Sequence, residues 1–161
     1  MNNHSFRFAK EDDTNLVLNF IKELAKYENM EDKVVIAENT LRKWLFEEKK
    51  VEVIFVLEDN KEIGFALFFY VYSTFSGRSG LFIEDLFVKP EYRKKGYGKA
   101  LLKQLASIAL KKGCQKLDWL CLNWNKPSID FYLSLGAQPL NEWTKYQITD
   151  EALKNLATYT L

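Results

Sequence analysis

Cysteine and histidine are nearly missing from this chain, with two of the former and one of the latter among 161 residues. A structural zinc site draws its tetrahedral set from such residues, and a disulfide-framed secreted domain needs more cysteine. Both are excluded, and no metal is expected. The lone histidine, His4, stands in the polar leader Met1-Asn2-Asn3-His4-Ser5, where a fraying end is preferred over a catalytic base. Proline (3) and glycine (7) are also scarce. No Pro/Gly/Ser stretch, repeat or low-complexity tract divides the chain, so one domain over residues 1–161 is expected. Neither sign of charge is in excess: 23 Lys+Arg face 22 Asp+Glu, a net of +1. That balance supplies no global field for nucleic acid or a membrane surface, and neither is expected as a partner. Every long apolar stretch is broken by charge, and the first residues lack a basic segment followed by an apolar one. Neither a spanning helix nor a signal peptide is read, and a soluble cytoplasmic protein is expected.

What is present is apolar: 47% of the residues are hydrophobic and 15% aromatic. That is enough burial to offset chain entropy and to argue against disorder. After a strand-like opening at residues 5–8, Glu11-Asp12-Asp13-Thr14 places acids where a helix start is positive. Leu16, Val17, Phe20, Ile21 and Leu24 then recur at helical spacing, which predicts a helix to about Glu28. A second helix is predicted over 38–48. Residues 51–57, 63–72 and 81–88 are rich in Val, Ile, Phe and Tyr and read as strands in antiparallel hairpins. The glycine turn Arg93-Lys94-Lys95-Gly96-Tyr97-Gly98-Lys99 leads into Leu101, Leu102, Leu105, Ala106 and Ala109 at helical spacing. Residues 117–122 read as a buried strand, Pro127 opens a helix ending near Gly136, and 144–148 read as a final strand. The order is mixed α/β.

Three places carry candidate chemistry. In the glycine turn, backbone N–H groups and a following helix N-terminus favour an anion, and Arg93, Lys94, Lys95 and Lys99 add charge. The spacing is neither that of a Walker loop nor that of a dinucleotide fingerprint, and an ordinary charged turn is the alternative. In Leu81-Phe82-Ile83-Glu84-Asp85-Leu86-Phe87-Val88, two adjacent carboxylates interrupt an apolar strand and alternate faces, so one of them risks burial. Such a group acts as a base or holds a cation; the alternative is one solvated acid and one ion pair. In Trp124-Asn125-Lys126-Pro127-Ser128-Ile129-Asp130-Phe131-Tyr132, the tyrosine is either core or a general acid. A phenol of pKa about 10 is matched closely enough to a thiol of about 8.5 to protonate a leaving thiolate.

In order and spacing, residues 84–88, Arg93-x-x-Gly96-x-Gly98, Asn125-x-x-Ser128-x-x-Phe131-Tyr132 and Gly136-Ala137 resemble the GNAT superfamily of acetyl-CoA-dependent N-acetyltransferases. Ile21-Lys22-Glu23-Leu24-Ala25-Lys26-Tyr27-Glu28, Glu84-Asp85-Leu86-Phe87-Val88 and the Trp124 to Tyr132 segment resemble its diamine (spermidine/spermine) and thialysine acetyltransferase branch. The resemblance implies the GNAT fold, an α+β arrangement whose mixed, mostly antiparallel sheet is splayed at its middle and flanked by helices. It implies acetyl-CoA with its pyrophosphate on Arg93, Lys94, Lys95, Gly96, Tyr97, Gly98 and Lys99. The backbone at Leu86, Phe87 and Val88 would hold the acetyl carbonyl and pantetheine arm, and Asn125, Lys126, Pro127 and Ser128 would flank the cofactor's other side. Tyr132 would protonate the departing coenzyme A sulfur, Glu84 would help strip a proton from the substrate ammonium through water, and Tyr27, Glu28 and Asp85 would line the amine site. Direct transfer in a ternary complex, giving coenzyme A as product, and a homodimer are implied as well.

Two segments depart from that branch. The loop Tyr72-Ser73-Thr74-Phe75-Ser76-Gly77-Arg78 has Ser, Phe and a cation where the branch carries an acid and a Trp. This leaves room for a substrate with one amine and one carboxylate, such as lysine or thialysine, with Arg78 either pairing with that carboxylate or simply solvated. The loop 138–143 is shorter than the branch's and leaves the role of Glu142 open. A protein or peptide acetyltransferase and a non-catalytic acyl-CoA-binding domain are the alternatives to a small-amine enzyme. Neither Cys114 nor Cys121 has a histidine beside it, which makes an acetyl-cysteine route unexpected.

Overall fold

The computed structural model describes residues 4–160. Its β-branched and aromatic runs form strands because those side chains pack well on a pleated surface. The strands are β1 (His4–Phe8), β2 (Glu52–Glu58), β3 (Lys61–Ser73), β4 (Arg78–Val88) and a short β5 (Leu117–Trp119), and they lie side by side in that order. The first four pair antiparallel and β4 pairs with β5 in parallel, so the sheet is mixed and mostly antiparallel as expected. Asp59 and Asn60, both at positive φ (49° and 63°), close the β2–β3 hairpin, a geometry that suits short polar side chains. His4 is a strand residue rather than a fraying end. It lies opposite Glu58, and its ring stands edge-on to Phe6 at 5.5 Å and Tyr97 at 6.2 Å.

The chain divides into two compact units, Met1–Leu120 and Cys121–Leu161. In the first, α1 (Thr14–Tyr27) and α2 (Glu38–Arg42), which runs on into a π-helical turn (Lys43–Glu47), cover one face of the sheet. Val17, Leu18, Phe20, Leu41 and Leu45 pack there with Val53, Phe55, Leu57, Phe65, Leu67 and Phe87. The Phe20 ring lies 5.2 Å from that of Phe65 and 5.8 Å from that of Phe55. Burying each such ring contributes about 1.5–3 kcal/mol. The helix α3 (Tyr97–Lys111) buries Tyr97, Leu101, Leu102, Leu105 and Ala109 and contacts β3 and β4.

The second unit contains α4 (Lys126–Ser134) and α5 (Asp150–Ala157). Gly136, at φ 86°, ends α4: the Ala137 N–H returns to the Tyr132 carbonyl at 3.2 Å, which closes a left-handed C-terminal cap. Two strand expectations are corrected. Residues 117–122 form a strand only to Trp119, which leaves Cys121 outside it, because β5 finds ladder partners only at Leu81, Phe82 and Ile83. Residues 144–148 form no strand; Tyr146 and Ile148 are exposed there, and propensity without a neighbouring ladder makes no sheet. Helix α5 was not read from the sequence, although Asp150 and Glu151 in its first turn are a helix-start signal.

Candidate active site

The parity of β4 changes at Glu84. Leu67 lies opposite Asp85 while the next β3 residue, Phe68, lies opposite Ile83, so Glu84 is an extra, unopposed residue, a β-bulge. With regular alternation Ile83, Asp85 and Phe87 would share one face. Phe87 instead joins the cluster beneath α1, and Ile83 does not. The bulge therefore turns Asp85 toward the α1 side, where Glu28 follows the end of that helix. Glu84 is exposed, while Asp85 and Glu28 are half-buried. Burial, then the charges of Glu84 and Glu28, push the Asp85 carboxyl up to about 7, and burial also raises that of Glu28. Among the described residues, no Lys or Arg pairs with any of these three acids.

Beyond Ile83, β4 has no strand on its outer side among the described residues. The Lys89 N–H bonds the Ile63 carbonyl at 2.9 Å, so Lys89 and Phe87 direct their backbone groups toward β3, and Leu86 and Val88 direct theirs to the open edge. The groups offered to a ligand are thus those of Leu86 and Val88. Phe87, expected there too, is not among them: its backbone faces β3 and its buried ring packs in the core, 6.5 Å from that of Phe20. This opening is the splay in the sheet.

Just past β4 the glycine turn enters α3. Lys94 (φ 62°) and Gly96 (φ 89°) are left-handed, and a side chain at Gly96 would strain that backbone. As N-cap residue, Gly96 offers no side-chain cap, and the first helical bond runs from the Ala100 N–H to its carbonyl at 2.9 Å. The first turn of α3, at Tyr97, Gly98 and Lys99, carries the positive end of the helix dipole. Lys94, Lys95 and Lys99 are exposed around it. An uncapped, lysine-flanked helix start fits a pyrophosphate. Two side chains of the turn point elsewhere. Tyr97 is buried, with its hydroxyl donating to the Glu58 carboxylate, so only its backbone serves the turn. Its place on the apolar stripe with Leu101 and Leu105 was legible from helical spacing. Arg93 is half-buried and donates to the Val88 carbonyl from Nε at 2.9 Å, with its guanidinium 4.3 Å from the centre of the Tyr27 ring.

In the second unit, Asn125 is buried and caps α4, its side-chain oxygen accepting from the Ser128 N–H at 3.4 Å. Pro127 sits in the first turn, and Lys126 pairs with Asp130 at 2.8 Å. Tyr132 is half-buried, its ring 5.4 Å from that of Phe131.

A strand bulge bearing carboxylates, an open strand edge, a glycine turn into a helix and a capped helix bearing tyrosine follow one another along the chain, and residues 18–137 match the Acetyltransferase (GNAT) family. The chain belongs to the GNAT family. This GNAT domain is an N-acetyltransferase and is similar over nearly its whole length to curated relatives. Thialysine N-epsilon-acetyltransferase of Sus scrofa is 38% identical over 163 residues, spanning 94% of this chain and 95% of that one. The Bos taurus protein of the same name is 39% identical over the same shares. Among solved structures, an integron cassette protein from the mobile metagenome of V. cholerae superposes with a TM-score of 0.81 at 28% identity, covering 99% of each chain. No helix among the described residues is long and apolar enough to cross a membrane.

Proposed function

We propose that this GNAT enzyme moves the acetyl group of acetyl-CoA directly to a primary amine of a small diamine, polyamine or lysine-like substrate in a ternary complex. The observation that carries this reading is the uncompensated acid cluster of Glu28, Glu84 and Asp85 beside the open β4 edge, which calls for a cationic substrate. The thialysine acetyltransferases of pig and cattle support an amine of that size. Acetyl-CoA supplies a thioester carbonyl for the amine to attack. The backbone of Leu86 and Val88 holds the acyl arm. The turn, with Lys94, Lys95, Gly96, the backbone of Tyr97, Gly98 and Lys99, holds the pyrophosphate. The start of α4, with Asn125, Lys126, Pro127 and Ser128, supplies further contacts to the cofactor.

An ammonium must lose its proton before it attacks. Glu84, exposed at the bulge, accepts that proton through water, while Tyr27, Glu28 and Asp85 orient the amine. The Tyr132 hydroxyl donates a proton to the departing sulfur. Holding both reactants together supplies much of the acceleration. Direct transfer is supported by Cys114, which is buried. The enzyme acts as a cytoplasmic homodimer, for which the exposed Trp143, Tyr146, Leu153 and Leu156 of the second unit supply apolar surface.

Coenzyme A thiol release with spermidine, short diamines, lysine and thialysine tests the reading. At least one amine is expected to stimulate release, and Tyr132→Phe to lower kcat by about 10²–10⁴. Silence with every amine, or an unaffected Tyr132→Phe enzyme, overturns the assignment.

A further inference from the structure

We propose that Arg93 is a positioning residue that ties the amine side of the site to the acyl side through Tyr27 and the Val88 carbonyl, and that it is not a phosphate ligand. This inference rests on the acetyl-CoA and amine reading above. Arg93 heads a lysine-rich anion turn, which makes phosphate binding the obvious role for its charge. The side chain turns the other way. Its Nε donates to the Val88 carbonyl at 2.9 Å, and its guanidinium carbon lies 4.3 Å from the Tyr27 ring centre and 5.3 Å from that of Phe87. No carboxylate pairs with it among the described residues. The charge is therefore met by two ring faces and one carbonyl.

Each partner belongs to a different half of the chemistry. Tyr27 is the last residue of α1, next to Glu28, so its ring stands at the amine side. Val88 ends β4, and its carbonyl is one of the groups turned to the open edge where the acyl arm is held. One planar group donating through its edge and stacking through its face fixes the end of α1 against the end of β4. That sets the spacing between the Glu28 and Asp85 carboxylates and the Leu86 and Val88 backbone. Lysine, a point charge without a face, can satisfy one partner and not both. The bond to Arg93 also uses a lone pair of the Val88 carbonyl, and the Leu86 and Val88 N–H groups stand on the same edge as donors.

The test uses the full chain carrying Arg93→Lys, Tyr27→Leu or both. Initial rates are measured with the best amine of the panel, and calorimetry measures acetyl-CoA binding. Misplacement of one reactant by about 1 Å costs on the order of 100-fold. Each single variant is therefore expected to lower kcat/KM for the amine by about 10- to 100-fold while acetyl-CoA affinity stays within about twofold. The double variant is expected to be little worse than either single one, because the two residues act as a unit. Arg93→Lys weakening acetyl-CoA tenfold with an unchanged amine KM, or losses that multiply in the double variant, overturns the proposal in favour of a phosphate contact or independent roles. An activity-free readout separates this outcome from failure of the acetyltransfer reading. In the unliganded protein the Arg93 Nε–H nuclear magnetic resonance signal is expected to be protected from exchange and shifted upfield by the Tyr27 ring, and to move downfield in Tyr27→Leu. A rapidly exchanging signal insensitive to Tyr27 removes the tie whatever the enzyme acetylates.

Discussion

Asp85 is a carboxyl set against two other carboxyls, and its behaviour follows from that placement. Burial first, then the charges of Glu84 and Glu28, raise its pKa to about 7. The amine needs the charged form, so kcat/KM for the amine is expected to rise as pH passes upward through about 7, and Asp85→Asn to remove that limb. A pH profile unchanged in the variant assigns the limb to another group. Stability runs in the opposite direction. Between the unfolded value of about 4 and the folded value of about 7, the folded chain keeps a proton that the unfolded chain has released. Stability therefore falls as pH rises through that window. Asp85→Asn is expected to raise the urea midpoint near pH 8 and to change it little near pH 4; equal midpoints at the higher pH contradict the burial argument. The residue types here were legible, since two acids in an apolar strand demand an explanation. Their partition was not: the sequence alternates, and the bulge that gives Asp85 the parity of Phe87 depends on register with β3.

Elements carry the site by how they begin and end. Helix α3 begins on a left-handed glycine, and Gly96→Ala forces an L side chain into that conformation at a cost of about 1–2 kcal/mol. The expected result is acetyl-CoA binding weaker by about tenfold, with the amine KM nearly unchanged, measured by calorimetry and initial rates. Undiminished affinity excludes the turn as the pyrophosphate cradle. Strand β1 enters through a clamp. Arg7 bonds Asp13 at 2.6 and 2.8 Å and Glu62 at 2.7 and 2.9 Å, and its guanidinium lies 4.8 Å from the Phe55 ring centre. The guanidinium holds the Asp13 carboxyl below its usual range. Arg7→Ala leaves two acids without their cation and is expected to lower stability by about 2 kcal/mol in urea unfolding at pH 7. A loss below about 0.5 kcal/mol reduces the clamp to a surface pair. The starts, stops and stripes of α1, α3 and α4 were readable because they are local. The early end of β5 and the missing strand at 144–148 were not, because a strand requires a partner that only the folded chain supplies.

At the scale of the molecule, the C-terminal unit presents apolar side chains outward. Leu153 and Leu156, three residues apart on α5, are 53% and 59% exposed, and Trp143 and Tyr146 are 73% and 90% exposed. A second copy of the chain is the proposed cover. The wild-type protein is expected to sediment as a dimer, and Leu153→Glu with Leu156→Glu to shift it toward monomer; a monomeric wild type removes the dimer from the reading. Charge is sorted at this scale too. Within a net of +1, lysines gather around the start of α3 and acids around the β4 bulge, opposite local fields that suit the proposed anionic donor and cationic acceptor. The sequence by itself determined the order of elements as far as α4, the glycine turn, the paired acids and the capped tyrosine helix, since periodicity, caps and turn residues act over a few positions. Tertiary structure alone decided which acid turns inward, which backbone groups line the open edge and where Arg93 spends its charge. Those outcomes depend on strand register and on contacts between residues far apart in the chain, where no local pattern records the partner.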